Sequence, residues 1–141
     1  MILDASVAAK WFLKGERYEA ESLGVRRDYE AGKVELQAPS LILYEVCNTI
    51  WKRMDVADEE VGKLAAAAGS YLSNFIVPLN HQSFRTTVSN ARAWDISVYD
   101  SSYATMAHEM KRPLITADED LAKRLSTVLV PNIFVANYKP T

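Results

Sequence analysis

The sequence predicts an α/β fold built around a parallel sheet. Short apolar runs typical of buried strands alternate with longer segments in which apolar residues recur at helical spacing. Strands that alternate with helices form parallel sheets whose crossovers are right-handed. No internal repeat, low-complexity tract or linker divides the 141 residues, and a chain of that length can bury a substantial core. We therefore expect one domain over residues 1–141.

Helices are predicted from apolar periodicity and from the residues that begin and end such segments. In chain order they cover residues 5–13, 17–31, 40–54, 58–74, 81–94, 98–110 and 118–125. Gly32 follows the second helix, as glycine often does after a last turn. Ser40 is placed to cap the third helix. Tyr103, Ala107 and Met110 recur at helical spacing in the sixth.

Short apolar segments between these helices predict the strands. They lie, in chain order, at residues 1–4, 34–38, 76–79, 113–116 and 128–135. The first runs directly into an acidic residue, and Pro131 interrupts the last. The tail at 139–141 is expected to be loose.

Composition and charge limit the class of protein. The apolar fraction of 49% and the charged fraction of 24% are ordinary for a globular chain. A net charge of −2 provides no global positive field for nucleic acid. A bound metal can supply positive charge locally, so an RNA substrate stays open.

Cysteine content and the first residues bear on the compartment. Cys47 is the single cysteine, so no disulfide can form within the chain. No apolar run is long enough to cross a bilayer. The start, Met-Ile-Leu-Asp, has neither the basic region nor the extended hydrophobic segment of a secretion signal. We expect a cytoplasmic protein without a membrane partner.

Four acidic residues stand where a predicted strand gives way to a helix, or early in a helix. They are Asp4, Glu45, Asp100 and Asp118. The strand ends of a parallel α/β sheet gather at one edge, where such folds bind ligands. Carboxylates gathered there repel one another and lose hydration, and oxygen-only ligation suits Mg²⁺ or Mn²⁺. The sequence therefore predicts a hydrolytic metal site at this edge.

Three of these acids also have an ordinary explanation as helix caps. Asp4 and Asp118 can cap the helices that follow them, and Asp100 can close a capping box with Ser97. Taken singly, capping is the more common role at each position. Glu45 lies inside a helix among apolar residues, and buried acids without a partner are rare. Capping therefore leaves Glu45 unexplained.

The acids occur within four short motifs. In chain order these are Leu3-Asp4-Ala5-Ser6, then Pro39 followed by Glu45-Val46 and Asn48, then Tyr99-Asp100 followed by Tyr103-Ala104, and finally Thr116-Ala117-Asp118. In this order and at these separations, over nearly the whole chain, they resemble the PIN-domain ribonucleases. In size and layout the chain resembles the VapC-type toxins of toxin–antitoxin pairs.

The resemblance implies a three-layer α/β/α sandwich around a parallel sheet of about five strands. It also implies endonucleolytic cleavage of RNA with Mg²⁺ or Mn²⁺ as cofactor. Asp4 and Asp100 would hold the ion directly, while Glu45 and Asp118 would complete or orient its surroundings through water. Asp120 is an extra acid that can take the place of Asp118. A homodimer and a cognate antitoxin, lying near the first and third helices, are implied as partners.

Further residues are candidates for supporting roles. Ser6 and Thr116 can give hydroxyl hydrogen bonds to the acids or simply cap helices. Asn48 falls on the same helix face as Glu45, where it can orient that acid, touch substrate or be a polar surface residue. Lys10 can meet a phosphate of the RNA.

Three other functions compete with an RNase toxin. A PIN-domain nuclease of RNA processing would need no antitoxin. A metal-dependent phosphatase of the haloacid-dehalogenase kind also begins with a strand ending in Asp, but it carries a second Asp two residues on, where this chain has Ser6. A catalytically silent binding module predicts loss of the acids, and all four are present.

Overall fold

The computed structural model describes residues 1–78 and 81–140, apart from the side chains of His81 and Gln82. Within these residues the strands are β1 (Ile2–Leu3), β2 (Ala38–Pro39), β3 (Ile76–Val77), β4 (Leu114–Thr116) and β5 (Asn132–Phe134). The α-helices are α1 (Ala5–Ala8), α2 (Glu19–Glu30), α3 (Leu41–Trp51), α4 (Asp58–Leu72), α5 (His81–Trp94), α6 (Val98–Met110) and α7 (Glu119–Thr127). Short 3-10 turns follow α1, α4 and β5.

The strands form two parallel sheets. β4 is the centre of the larger sheet, with β1 on one side and β5 on the other, so that Ile115 pairs with both Leu3 and Ile133. β2 and β3 form the smaller sheet. A parallel bridge between Ile2 and Gln37 connects β1 to the residue before β2, and the Leu3 N–H donates to the Gln37 carbonyl at 2.8 Å.

The predicted α/β class with a parallel sheet is confirmed. The hydrogen bonds of the described residues divide the strands into a three-stranded and a two-stranded sheet, rather than one continuous sheet of five. The strands are also shorter than the apolar runs that predict them. The second strand is predicted too early, at 34–38, because β2 pairs with β3 through Ala38 and Pro39, of which Pro39 lies beyond the predicted run.

The core lies around β1 and β4, whose apolar side chains are fully buried. Its deepest members are Ile2, Leu3, Leu114 and Ile115, each 0% exposed. α6 packs against β1, β2 and β4, while α1 packs against β4 and α3. The ends of β1 and β4 and the starts of three helices therefore meet in one region, and this region contains the predicted acids.

Predicted and observed helix limits agree best for α5 and α6, which occupy 81–94 and 98–110. α1 is shorter than predicted because the chain tightens into a 3-10 turn after Ala8. α3 and α4 end before the predicted limits, at Trp51 and Leu72. The predicted strand at 76–79 extends to a residue outside the described part of the chain.

One local prediction is wrong. Ser40 has helical backbone angles and its side chain makes no capping hydrogen bond. Met110 lies at the end of α6 as its spacing predicts and is 37% exposed there, and Lys111 after it takes a left-handed conformation with a φ of 52°. Pro140 lies beside Gly24 of α2, since a Cβ built on Gly24 would be 2.9 Å from the Pro140 Cγ. A larger residue than glycine at position 24 would therefore displace Pro140.

Candidate active site

The four acids line one pocket with a volume of about 250 Å³. Its lining residues are Asp4, Ala5, Ser6, Glu45, Asn48, Thr49, Asp100, Asp118 and Leu121. They come from the start of α1, from α3, from the first turn of α6 and from the start of α7. We call this cavity the acid pocket.

Asp4 is the buried member of the acid pocket. It directly follows β1 and is 7% exposed. Its Oδ2 accepts hydrogen bonds from the hydroxyls of Ser6, at 2.5 Å, and Thr116, at 2.6 Å. Thr116 lies beside Asp4, although 112 residues separate them, because β1 and β4 pair in parallel. The sheet register therefore fixes this carboxylate.

The backbone orients both hydroxyls toward Asp4. The Ser6 Oγ accepts from the Ala117 N–H at 2.9 Å, and the Thr116 Oγ1 accepts from the Asp118 N–H at 3.0 Å. A hydroxyl whose oxygen accepts from the backbone retains its own hydrogen for donation. That hydrogen goes to the carboxylate in each case, so the network holds Asp4 in a single orientation.

Glu45 is half-buried on α3 and is held from another helix. Tyr103 on α6 is 1% exposed and donates its phenol O–H to the Glu45 Oε2. The expectation that Glu45 lies among core residues holds for Ile42 and Val46, which are fully buried. It is wrong for Tyr44, which is 77% exposed. α3 thus carries Glu45 at the boundary between core and surface.

Burial and like charge raise the pKa of two of the acids. Burial is the larger cause at Asp4, the charge of Asp100 adds to it, and the two hydroxyl hydrogen bonds oppose it. Burial is also the first cause of the raised pKa of Glu45. There the charges of Asp4 and Asp100 add to the effect, while the phenol hydrogen bond opposes it. The carboxylates are therefore close enough to repel one another.

Capping explains two of the acids in part. The Asp118 Oδ1 accepts from the Leu121 N–H at 2.9 Å, which caps α7. The Asp100 N–H donates to the Ser97 Oγ at 3.0 Å, and the Ser97 hydroxyl donates to the Asp100 Oδ2 at 2.7 Å. Asp4 makes no capping hydrogen bond with its side chain. Asp100 and Asp118 thus have a local structural role and also line the pocket.

The remaining candidates lie at or beside the acid pocket. Asn48 lines it and is exposed. The Lys10 Nζ lies 3.7 Å from the Glu16 Oε2. Lys10 and Asp120 both line a neighbouring pocket. Asp118 lines both pockets, whereas Asp120 lines only the neighbouring one. The geometry therefore favours Asp118 over Asp120 as the fourth acid.

Two residues at the site have no role predicted from the sequence. Tyr103 belongs to the motif that contains Asp100 and to the helical spacing of the sixth helix, without a predicted contact, and Thr49 is not among the candidates. Tyr103 lies three residues after Asp100, which places the two on the same side of a helix. That spacing was the available signal, but the sequence alone does not show which side chain Tyr103 meets.

The acids are not drawn together into a ready-made cluster. In the part of the chain that the structure describes, no three His, Cys, Asp or Glu side chains are close enough together to hold a metal ion. Glu45, Asp100 and Asp118 each use one carboxylate oxygen in the hydrogen bonds above. The acids line one cavity, and carboxylate oxygens are the kind of ligand that binds hard cations.

Comparison with protein families identifies the chain. The sequence model of the family described as "PIN domain" matches residues 1–125. The chain belongs to the PIN domain family. All four acids of the pocket lie within the matched residues. PIN domains are generally nucleases.

The fold of this PIN domain is also seen in a solved structure, the crystal structure of PAE2754 from Pyrobaculum aerophilum. The two share 20% sequence identity with a TM-score of 0.61, over 97% of this chain and 95% of that chain. At that identity the likeness shows the fold alone. No curated protein sequence matches the chain. Among the described residues, no helix has the length and apolar character that a membrane crossing requires.

We expect the metal-free protein to lose stability, relative to its Asp4→Asn variant, as the pH rises from about 4 to about 7. Because the folded-state pKa of Asp4 is raised, the folded protein binds this proton more tightly than the unfolded chain does. The resulting stability is fully present below the unfolded pKa and is lost as the pH rises through the folded pKa. Thermal unfolding in EDTA across this range measures the difference in Tm.

Asp120→Asn is the matched control, because Asp120 is an exposed acid outside the acid pocket. Its difference from the wild type should show no comparable trend with pH. If the difference in Tm between the wild type and Asp4→Asn does not change with pH, the folded-state pKa of Asp4 is not raised and the prediction is wrong.

Proposed function

We propose that this PIN domain is a metal-dependent endoribonuclease and the toxin of a VapBC-type toxin–antitoxin pair. The observation that carries the nuclease part is the lining of one pocket by Asp4, Glu45, Asp100 and Asp118 within a PIN-family chain. These acids come from four separate elements, and helix capping explains only two of them. A pocket of this composition has no evident purpose as a stabilising feature of the fold.

The chemistry of the pocket fits a divalent cation. Its donors are carboxylate oxygens, which suit Mg²⁺ or Mn²⁺ rather than metals that prefer sulfur or imidazole. The raised pKa values of Asp4 and Glu45 reflect burial and mutual repulsion, and a cation relieves both. Repulsion also accounts for acids that line one cavity without forming a preassembled cluster.

Each acid has a distinct part in the proposed site. Asp4 and Asp100 would hold the ion directly, and Glu45 and Asp118 would complete or orient its surroundings through water. A bound Mg²⁺ or Mn²⁺ makes a water more acidic and neutralises charge on phosphoryl oxygens. Ser6 keeps Asp4 in place by its hydrogen bond to Oδ2.

The chain also offers a proton acceptor. Glu45 is half-buried, its pKa is raised and it lines the pocket. A carboxylate whose pKa lies above its ordinary range is a better base for a proton from the attacking water. Asn48 is exposed one turn along α3 from Glu45 and lines the same pocket. We propose that Asn48 orients Glu45 or contacts the RNA.

Lys10 is the proposed contact to the RNA backbone. It lies in the pocket beside the acid pocket, next to Ser6 and Asp118, which line both. A phosphate next to the one being cleaved would lie within that neighbouring pocket, where an ammonium group gives a charge-assisted hydrogen bond. Local cations matter here because the net charge of −2 provides no general attraction for RNA.

The toxin role and its partners rest on the family resemblance and on an exposed apolar surface. Tyr44 and Trp51 on α3 are 77% and 68% exposed, and Met54 beyond the helix is 94% exposed. Large exposed apolar side chains of this kind suit a protein partner. We propose a cognate antitoxin at this surface and a homodimer of the chain. Trp11, by contrast, is buried and donates to the Ser22 carbonyl, so it belongs to the core.

A nuclease of RNA processing is the second candidate function, since such a PIN domain would use the same acids without an antitoxin. A phosphatase fits less well. Ser6 stands where that class needs a second Asp, and its hydroxyl donates to Asp4. A silent binding module would not need to retain all four acids around one pocket.

We expect Mn²⁺ to raise the Tm of the wild type. A ligand present at about 100 times its Kd stabilises the folded state by about 2.7 kcal/mol, and here the ion also relieves carboxylate repulsion. Differential scanning fluorimetry with and without Mn²⁺ measures the shift, with NaCl at matched ionic strength as the control for screening. The proposal of a metal site is wrong if Mn²⁺ does not change the Tm and calorimetry detects no Mn²⁺ binding.

We expect Asp4→Asn and Asp100→Asn to reduce Mn²⁺-dependent cleavage of RNA by about a hundredfold or more while the fold is retained. Removing one charge from a repelling set should not destabilise the metal-free protein. Circular dichroism checks folding, and a labelled RNA checks cleavage. Glu109→Gln, at an exposed acid that lines neither the acid pocket nor the neighbouring pocket, should cleave as the wild type does. If the variants do not fold, the acids are structural caps. If the variants fold and still cleave RNA, catalysis lies elsewhere in the chain.

We expect the wild-type chain to arrest growth when it is expressed in cells without a partner, and Asp4→Asn to be harmless at the same protein level. Growth curves with immunoblots measure both. If the wild type is harmless while the purified protein cleaves RNA, inhibition by an antitoxin is not needed. A role as a nuclease of RNA processing then becomes the better assignment of function.

A further inference from the structure

Two helices that carry acids of the pocket are joined by a hydrogen bond between side chains. Tyr103 on α6 donates its phenol O–H to the Oε2 of Glu45 on α3, across 58 residues of sequence. Tyr103 is among the largest fully buried side chains of the described residues, with 1% exposure. Surrounding packing therefore fixes the ring, and the phenol is a stationary donor at the edge of the pocket.

Glu45 needs a restraint of this kind. Its side chain is long and rotatable, and the residue is half-buried rather than enclosed by the core. The charges of Asp4 and Asp100 act against it from across the pocket. A glutamate in this situation lowers its free energy by rotating toward water, away from the other acids. The phenol hydrogen bond opposes that rotation and keeps one carboxylate oxygen at the pocket wall.

The same helix supplies a second acid. Asp100 lies three residues before Tyr103 on α6, so both side chains are on one side of the helix. The first turn of α6 is fixed by the Ser97 cap, whose Oγ accepts from the Asp100 N–H at 3.0 Å. α6 therefore carries Asp100 itself and, through Tyr103, sets the place of Glu45 relative to it.

We propose that Tyr103 is a positioning residue that holds Glu45 at a fixed place relative to Asp100, so that Glu45 can complete, through water, the surroundings of a divalent cation held by Asp100. The inference rests on the proposed metal-dependent function and deepens it. Tyr103 touches neither ion nor substrate and acts only through Glu45. Residues that orient metal ligands in this way influence metal affinity strongly, although they do not bind the metal themselves.

Calorimetric titration of Mn²⁺ into the full chain tests the proposal without measuring activity. Tyr103→Phe removes only the hydroxyl and should weaken Mn²⁺ binding about tenfold or more. Tyr99→Phe is the matched control, because Tyr99 lies on the same helix and is 63% exposed, and its affinity should equal that of the wild type. Without Mn²⁺, Tyr103→Phe should melt close to the wild type.

A double-mutant cycle separates positioning from general support of the fold. In the Glu45→Ala background the phenol has no carboxylate to hold, so adding Tyr103→Phe should cause no further loss of Mn²⁺ affinity. An equal loss in both backgrounds would overturn the proposal, as would an unchanged affinity in the single variant. A Tyr103→Phe chain that does not fold would also overturn it, because the hydroxyl would then be a requirement of the core.

The failure of the proposed function gives a different result. A wild type that binds no Mn²⁺ would overturn the metal-dependent function, and the inference with it. A wild type that binds Mn²⁺ as tightly as Tyr103→Phe would leave the function in place and overturn only the role of Tyr103.

Discussion

The burial of the Asp4 carboxylate is the constraint on which the site depends. A charged group that leaves water needs hydrogen bonds or a counter-ion, and Asp4 is 7% exposed. Two hydroxyls meet part of that need, and one of them is available only because β4 pairs beside β1. These hydrogen bonds do not fully offset the cost of burying the charge, and the pKa of Asp4 is therefore raised. The raised pKa of this carboxylate is the physical reason for the cation proposed at this position.

The position of α6 follows from the same arrangement. This helix packs against β1, β2 and β4, with Tyr103 and Ala104 buried among the core residues. Its first turn therefore lies close to the end of β1, where Asp4 is. Because the helix is rigid, Asp100 reaches the pocket and Tyr103 reaches Glu45 together. Core packing and site geometry are not separate here, since the buried face of α6 fixes the acid on its first turn.

The sequence predicted the parts of the fold that local patterns determine. α5 and α6 occur at their predicted limits because apolar spacing and polar ends define a helix locally. The capping of α7 by Asp118 was also visible in the order of residues. Strand lengths were predicted less well, because β2 consists of Ala38–Pro39 alone and its pairing with β3 depends on tertiary structure.

The acids of the pocket could be named from their motifs, but their environment could not. The motif around Asp4 contains Ser6, yet the second hydroxyl comes from Thr116, and only sheet pairing brings it near. Tyr103 could be recognised from its motif and its helical spacing, but its partner Glu45 lies 58 residues earlier in the chain. Contacts between distant residues depend on the packing of whole elements, and a single sequence holds no local pattern for them.

Asp118 differs from the other three acids in what it does for the fold. It is exposed, and its Oδ1 caps α7 through the Leu121 N–H, an interaction worth about 1 kcal/mol when lost to alanine. Asn caps a helix about as well as Asp does, so replacement by Asn removes charge while the cap persists. Replacement by Ala removes both. The proposed part of Asp118 in metal binding and its part in stability are therefore separable by the choice of substitution. The two are harder to separate at Asp4, because the same buried carboxylate carries the charge and accepts the hydrogen bonds of Ser6 and Thr116.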